Sequence, residues 1–419
     1  MTQSCICYTL RILNFLKVML STRYAVIIMT FLLTSCANKN IKPASYFAQH
    51  LIKDSSVKPN LINDKASEIV IKQINYTSLG KDPIINCVVK ANILYTVDSV
   101  GHLTKFDLNK RNILWSKKLF KGKVWNNGIV IGNDNNLYIV YSRTIHQIDL
   151  DGNLINYREL SGAGVTDPIL QGNKLYVATA NGILYDLNKD NFSINHKINY
   201  SNSELFSGYP NAIAVINGEN LVFSDIYNNI YFFNNRFEEF KSHKGSDPDP
   251  LKYTVYGGAV KPIISDNAIY LSHNTNGVKI LDFKGNIIKE RKINELHSWI
   301  LKNDHLFIIN KANQVAKVSA KDLKIEWLVN LEKFDQMKPV KPSQFSSYSN
   351  IIEYQGNLIF TDTFGYLYAL DMFSGKIKFK TQISTDINQL FLKKDALIGV
   401  GKYKVIYWTL DTINTSNIK

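Results

Sequence analysis

DPIINCVVKANILYTVDSVGHLTKFDLNKRNILWSKKL, residues Asp82 to Leu119, is the stretch on which the fold turns. Pro83-Ile84-Ile85 opens an extended run, and Ile93-Leu94-Tyr95 is the apolar middle of a second. Gly101 marks a turn, Phe106-Asp107-Leu108 closes a third run, and Trp115 sits in a fourth, basic one. Short alternating runs parted by Asn, Asp and Gly predict four antiparallel strands. Weaker copies of the phrase return at Leu137-Tyr138, Leu175-Tyr176, Leu221-Val222, Ile269-Tyr270, Leu306-Phe307, Leu358-Ile359 and Leu397-Ile398. The second residues of these eight pairs lie 43, 38, 46, 48, 37, 52 and 39 residues apart. A four-stranded unit repeated at this period cannot cover both faces of its own twisted sheet, and a ring of such units covers both. The expected fold is therefore all-β, an eight-bladed β-propeller of four-stranded antiparallel blades.

The last copy shows only three strands, around Leu390-Phe391-Leu392, Ala396–Val400 and Val405–Leu410, whereas Glu68–Ile74 reads as a strand standing ahead of the first copy. Pairing of these N- and C-terminal strands would complete the eighth blade and leave no open edge. The expected organisation is a signal segment over 1–35, a lipidated flexible linker over 36–65, the propeller over 66–411 and a tail over 412–419. The only stretches suited to a helix after the signal, Ala44–Lys53 and Asn63–Glu68, are short and weakly capped and read as linker.

Arg11, Lys17 and Arg23 precede an apolar run from Tyr24 to Leu33, too short to span a bilayer, and Leu33-Thr34-Ser35-Cys36 follows. This matches a bacterial lipobox, with Cys36 as the acylated first residue of the mature chain; an ordinary signal with a chance cysteine is the alternative. Translation could start at Met1 or Met19. Acyl chains on Cys36 would tether a periplasmic domain to a membrane, and Ala37, where Asp would favour the inner membrane, points to the outer one. With Cys5 and Cys7 in the signal and Cys36 acylated, Cys87 has no partner for an internal disulfide and reads as a small core residue. The signal holds three positive charges and no negative ones, so the net charge of +14 becomes +11 without it. That charge is scattered over strands, which argues against nucleic acid as a partner.

Three connections are long: Asn199–Asn211 with Leu205-Phe206, Lys241–Val260 with Ser246-Asp247-Pro248-Asp249, and Glu332–Ser349 with Met337 and Phe345. Insertions in a repeat fold collect at the working rim, and apolar residues beside carboxylates there suit a protein contact. The eight histidines form no short-spaced ligand pair, and no metal or cofactor is expected. Gly399-Val400-Gly401-Lys402 lacks the first Gly and the Ser or Thr of a phosphate loop, and Ser161-Gly162-Ala163-Gly164 precedes no helix, so no catalytic residue is assigned. Asp107, Asp149, Asp186, Asp282 and Asp371 take one place in successive repeats and read as turn caps.

The phrase Tyr366-Leu367-Tyr368-Ala369-Leu370-Asp371-Met372-Phe373-Ser374-Gly375-Lys376 resembles the PQQ-type propeller repeat, although only Trp115 and Trp327 keep that repeat's Trp. Together with the lipobox and one ring of this length, the chain resembles the BamB-like lipoproteins of the outer-membrane β-barrel assembly machinery, from about Glu68 to Leu410. The resemblance implies a non-catalytic, outer-membrane-anchored scaffold facing the periplasm, monomeric within a hetero-complex. Its partner would be a BamA-like barrel subunit, docked through that subunit's POTRA domains. Asp247 and Asp249 fall on the family's Ser-Asp-x-Asp contact loop, and Leu205 and Phe206 on its Leu-rich loop. There Ser207 stands where the family has Arg, so contact would lean on Leu205 and Phe206. The competing readings are a PQQ-dependent quinoprotein dehydrogenase using Ca²⁺, whose adjacent cysteines this chain lacks, and a ligand- or surface-binding propeller of unrelated role.

Overall fold

Eight four-stranded antiparallel sheets follow one another along the chain in a computed structural model. It describes Ile52 and residues 69–412, except 125–126, 165, 200–211, 217–219, 225–228, 244–260, 274–276, 294–295, 311, 332–348, 363–364, 384–386 and 395. Blades 1 to 7 span 84–118, 127–159, 169–199, 212–243, 263–291, 296–330 and 352–382, and each uses its strands in chain order from inner to outer. Blade 8 takes three strands from 387–412, and its outer strand is Ile69–Ser78. The closing ladder runs from Ile69 opposite Thr412 to Ser78 opposite Lys404, with a bulge between Gln73 and Asn75. Both of its strands thus extend past the ends expected from the sequence.

The composition of each strand follows from its place in the ring. Second and third strands are covered on both faces by neighbouring blades, so Leu137–Tyr141 is buried at every position. Outer strands meet water, and in Asn112–Lys118 only Trp115 and Lys117 are half-buried, the rest being exposed. Burying apolar surface at about 25 cal/mol per Å² drives the assembly. Each of the eight hydrophobic clusters among the described residues joins two adjacent blades, and together they run around the whole ring. The eighth, between blades 8 and 1, packs Tyr407, Val405 and Ile398 on Phe106, Leu94 and Cys87. Cys87 is buried there, its Sγ 2.9 Å from Gln389 Oε1, and burial pushes its thiol up out of the reactive range.

Third strands of blades 1 to 7 share one irregularity, a bulge such as Lys105/Phe106 or Ala369/Leu370, just before the last turn of the blade. The bulge corrects one expectation. Asp107, Asp149, Asp282 and Asp371 do cap that turn, each accepting backbone N–H groups two to four residues on. Asp186 does not. It precedes its bulge, matching Lys105, and is fully buried, 3.1 Å from Asn195 Nδ2 and 3.0 Å from His196 Nδ1. Asn188, two residues on, is the cap in blade 3.

Candidate functional site

Antiparallel order sends the turns between first and second strands, and between third and fourth, to one face of the ring. The turns between second and third strands, and the connections from each fourth strand to the next first strand, lie on the other. All three long connections are of this last kind. They leave Asn199, His243 and Asn330 and rejoin the ring at Ala212, Ile263 and Ile352. One face therefore receives every long insert, and the two that hold the expected contact residues flank blade 4. Leu205, Phe206, Asp247 and Asp249 themselves, like Cys36, lie outside the described residues.

The described part of this face is built from side-chain caps. In blade 1, Asp98 Oδ1 accepts N–H groups from Val100, Gly101 and His102 at 2.8 to 3.0 Å, while its Oδ2 lies 2.9 Å from His102 Nδ1. Asp82, from the preceding connection, joins them, so three potential metal-ligand atoms lie within 4.8 Å of one another. Sequence spacing hid this grouping, because Asp82 and Asp98 belong to different connections. The turn's own amides and the imidazole account for both oxygens of Asp98. In blade 6, Asn310 Oδ1 caps Ala312 and Gln314, and Asn310 Nδ2 donates to Gln314 Oε1 at 3.0 Å. Gln314 Nε2 donates to Asn330 Oδ1 at 2.8 Å, so its amide is held on both sides.

That fixed amide oxygen accepts the backbone N–H of Ile52 at 2.7 Å, and the Ile52 side chain is buried in the cluster of blades 5 and 6. Ile52, from the stretch read as spacer, thus meets the ring on the insert-bearing face. Leu51-Ile52, an apolar pair in a polar stretch, was the one signal of it. On the ring's inner side, Asn86 Nδ2 of blade 1 donates to Asp167 Oδ1, in the connection that enters blade 3, at 2.8 Å. It passes Gly128 of blade 2, where a Cβ would lie 2.6 Å from Thr166 O. Cys87, the cysteine among the described residues, faces the seam between blades and not this inner surface.

The family model PQQ_2, described as Outer membrane protein assembly factor BamB, matches residues 99–329. Protein RP232 of Rickettsia prowazekii (strain Madrid E) is 22% identical over 421 residues, 93% of this chain and 97% of its own length. RC0314 of Rickettsia conorii (strain ATCC VR-613 / Malish 7) is 22% identical over 354 residues, 78% of this chain and 83% of its own. Among solved structures, BamB from Moraxella catarrhalis superposes with a TM-score of 0.63 at 13% identity, over 81% of this chain and 100% of that one. The Sqt1 protein of Saccharomyces cerevisiae gives a TM-score of 0.63 at 9% identity, over 81% and 98% of the two chains. The structural likenesses carry the fold alone.

Proposed function

The chain belongs to the family of the outer membrane protein assembly factor BamB, and from that premise we propose that it is a non-catalytic scaffold of outer-membrane β-barrel assembly. It is tethered to the outer membrane through acylated Cys36, faces the periplasm, and docks the POTRA domains of a BamA-like barrel subunit. One observation carries the reading. The connection with Leu205 and Phe206 and the connection with Asp247 and Asp249 flank a single blade and open on the same face. Apolar and acidic groups on adjacent connections form the mixed patch that a protein partner can desolvate at its centre and meet with charge at its rim. A closed ring with saturated turns supplies the rigid support such a patch needs.

The test is affinity capture from detergent-solubilised envelope of the native host, with wild-type protein, Asp247→Arg and Leu205→Glu. Wild type should recover a large outer-membrane barrel protein bearing POTRA domains, and each variant should lose at least about tenfold of it, the scale of one hot-spot residue, with an unchanged melting temperature. Equal recovery by all three would refute the assignment of these loops. In the same cells, labelled palmitate should enter the wild type and not Cys36→Ala.

A further inference from the structure

The seam between blades 8 and 1 opens into a cavity of about 450 Å³ on the face of the short turns, away from the long connections. Lys393 and Lys394 come from the first turn of blade 8, Asn92 and Asn109 from turns of blade 1. Arg111 comes from the last turn of blade 1, and Tyr407 from the last strand of the chain, Lys404–Thr412. Three cations thus line one concavity, and among the described residues none of them forms an ion pair. Lys393 Nζ bonds instead to the neutral Asn109 Oδ1. Burial and the neighbouring Lys394 lower the pKa of Lys393, and the field of Asp107 opposes them only in part. Asp107 acts on Lys393 through its field only: its Oδ1 accepts the N–H groups of Asn109 and Lys110, and among the described residues it forms no ion pair with the three cations.

A second, independent feature belongs to Tyr407, one of the lining residues. Tyr407 is 2% exposed, and among the described residues its buried hydroxyl has no hydrogen-bond partner. A buried hydroxyl left unpaired costs about 1–3 kcal/mol, so its retention needs a cause. The Arg111 guanidinium lies 5.0 Å from the centre of the same ring, which keeps the arginine over the cavity. Unpaired cations, amide groups and a hydroxyl donor all ask for one kind of ligand, a multiply charged anion rich in acceptor oxygens. A phosphate alone is small for this volume, which suits a drug-sized body, and Leu108 and Ile398 offer apolar wall to its remainder.

We propose that this cavity binds a phosphate monoester carried on a sugar-sized body, supplied either as a soluble sugar phosphate or as a phosphorylated lipid head group. Calorimetric titration of the purified full-length protein with glucose 1-phosphate, against glucose, probes the soluble source. Vesicles of phosphatidylcholine with and without phosphatidic acid probe the lipid source, read as the difference between the two, so that attachment through the N-terminus cancels. Saturable binding in either arm is expected. Lys393→Gln/Lys394→Gln should weaken it at least about tenfold, the loss of charge-assisted hydrogen bonds, while the charge-matched control Lys118→Gln/Lys121→Gln leaves it within about twofold. Tyr407→Phe separates binding from folding: it should weaken binding several-fold while the melting temperature stays or rises, since the unpaired hydroxyl is gone. Absence of binding in both arms, equal losses in the two lysine pairs, or unaltered binding by Tyr407→Phe would overturn the proposal.

Discussion

Seven seams of the ring are fastened in one way and the eighth in another. Where blade 1 meets blade 2, Lys117 Nζ donates to Asp151 O at 2.6 Å, and at six more seams a side chain of one blade likewise reaches a carbonyl in the last turn of the next blade. Arg158 reaches Phe192 O, Lys174 reaches Asn235 O, and His243 reaches Gly285 O. Arg291 reaches Leu323 O, Trp327 reaches Met372 O, and Thr77 reaches Arg111 O. Arg111, Phe192 and Leu323 adopt positive φ without being glycine, at 57°, 55° and 61°, and Gly285 lies at 78°. The left-handed residue turns its carbonyl toward the neighbour. Blade 8 has no such turn, because its outer strand is the N-terminal Ile69–Ser78 and not a continuation of the chain. The seam between blades 7 and 8 is tied at the inner strand instead, where Asn350 Oδ1 accepts from Leu390 N at 2.7 Å and Asn350 Nδ2 donates to Leu390 O at 3.0 Å. One amide side chain there replaces a peptide unit. The difference teaches that ring closure by chain ends removes a turn, and that the fold makes up the lost fastening elsewhere on the same seam.

The largest effect should come from removing the closing strand. Deleting Ile69–Ser78 strips a ladder from Ile69/Thr412 to Ser78/Lys404 and takes Ile71 from the cluster of blades 7 and 8. Because every blade leans on two others, the whole domain should melt as one unit, its midpoint lower by roughly 10 °C, which at about 2 cal/mol/K per residue is on the order of 7 kcal/mol for a domain this large. Circular dichroism melts would show it. An unchanged midpoint would mean that blade 8 holds without its outer strand and that the eighth seam needs no compensation.

A smaller effect sharpens the same contrast. Asn350→Ala leaves both the N–H and the C=O of Leu390 without their protein partner and should cost about 1–2 kcal/mol. Arg158→Ala removes one of seven alike ties and leaves a carbonyl that water can reach, so about 0.5–1 kcal/mol is expected. Denaturant unfolding of the two variants compares the seams directly, and an equal or reversed ranking would break the comparison.

The ring was legible because alternation with a period of two, broken by Gly and Asn every few residues, recurs eight times and leaves one blade a strand short. Nothing in that pattern reports how neighbouring blades meet. Four of the seven ties use left-handed carbonyls, and three of these, at Arg111, Phe192 and Leu323, belong to residues that do not advertise a positive φ as glycine does. Asp186 was misread for a related reason: it lies 10 residues after Tyr176, whereas Asp107 lies 12 after Tyr95, so it falls two places short of the cap, which Asn188 occupies. The cavity cations are farther apart still, since Arg111 and Lys393 meet only because the ring closes. The rim residues were legible only through family resemblance, as no local pattern separates a docking insert from any other polar loop.

The smallest effect concerns the order in which the seams loosen in acid. The turn caps Asp149 and Asp282 are held below the ordinary carboxylate range: slight burial pushes each upward, but hydrogen bonds from Asn153 and Asp151, and from Asn286 and Lys284, outweigh it. His146, packed on Phe120 near the seam of blades 1 and 2, is pushed down to about 4 by burial. For all three the unfolded chain binds protons more readily than the folded one, so their stabilisation is complete at neutral pH. The His146 share falls as pH drops below about 6.5 and is spent near its folded value, and the carboxylate share follows below about 4. These groups sit in blades 2 and 5, and the Asn350–Leu390 tie contains nothing that titrates. Hydrogen exchange at pH 7, pH 4 and pH 3 should therefore show protection falling first near the last turn of blade 2, by pH 4, and then in that of blade 5, by pH 3, each by a factor of a few, while the Leu390 amide holds its relative protection. Earlier loss at Leu390 would make the seam without a turn the weakest point of the ring, and the amide tie a residue of closure instead of its replacement.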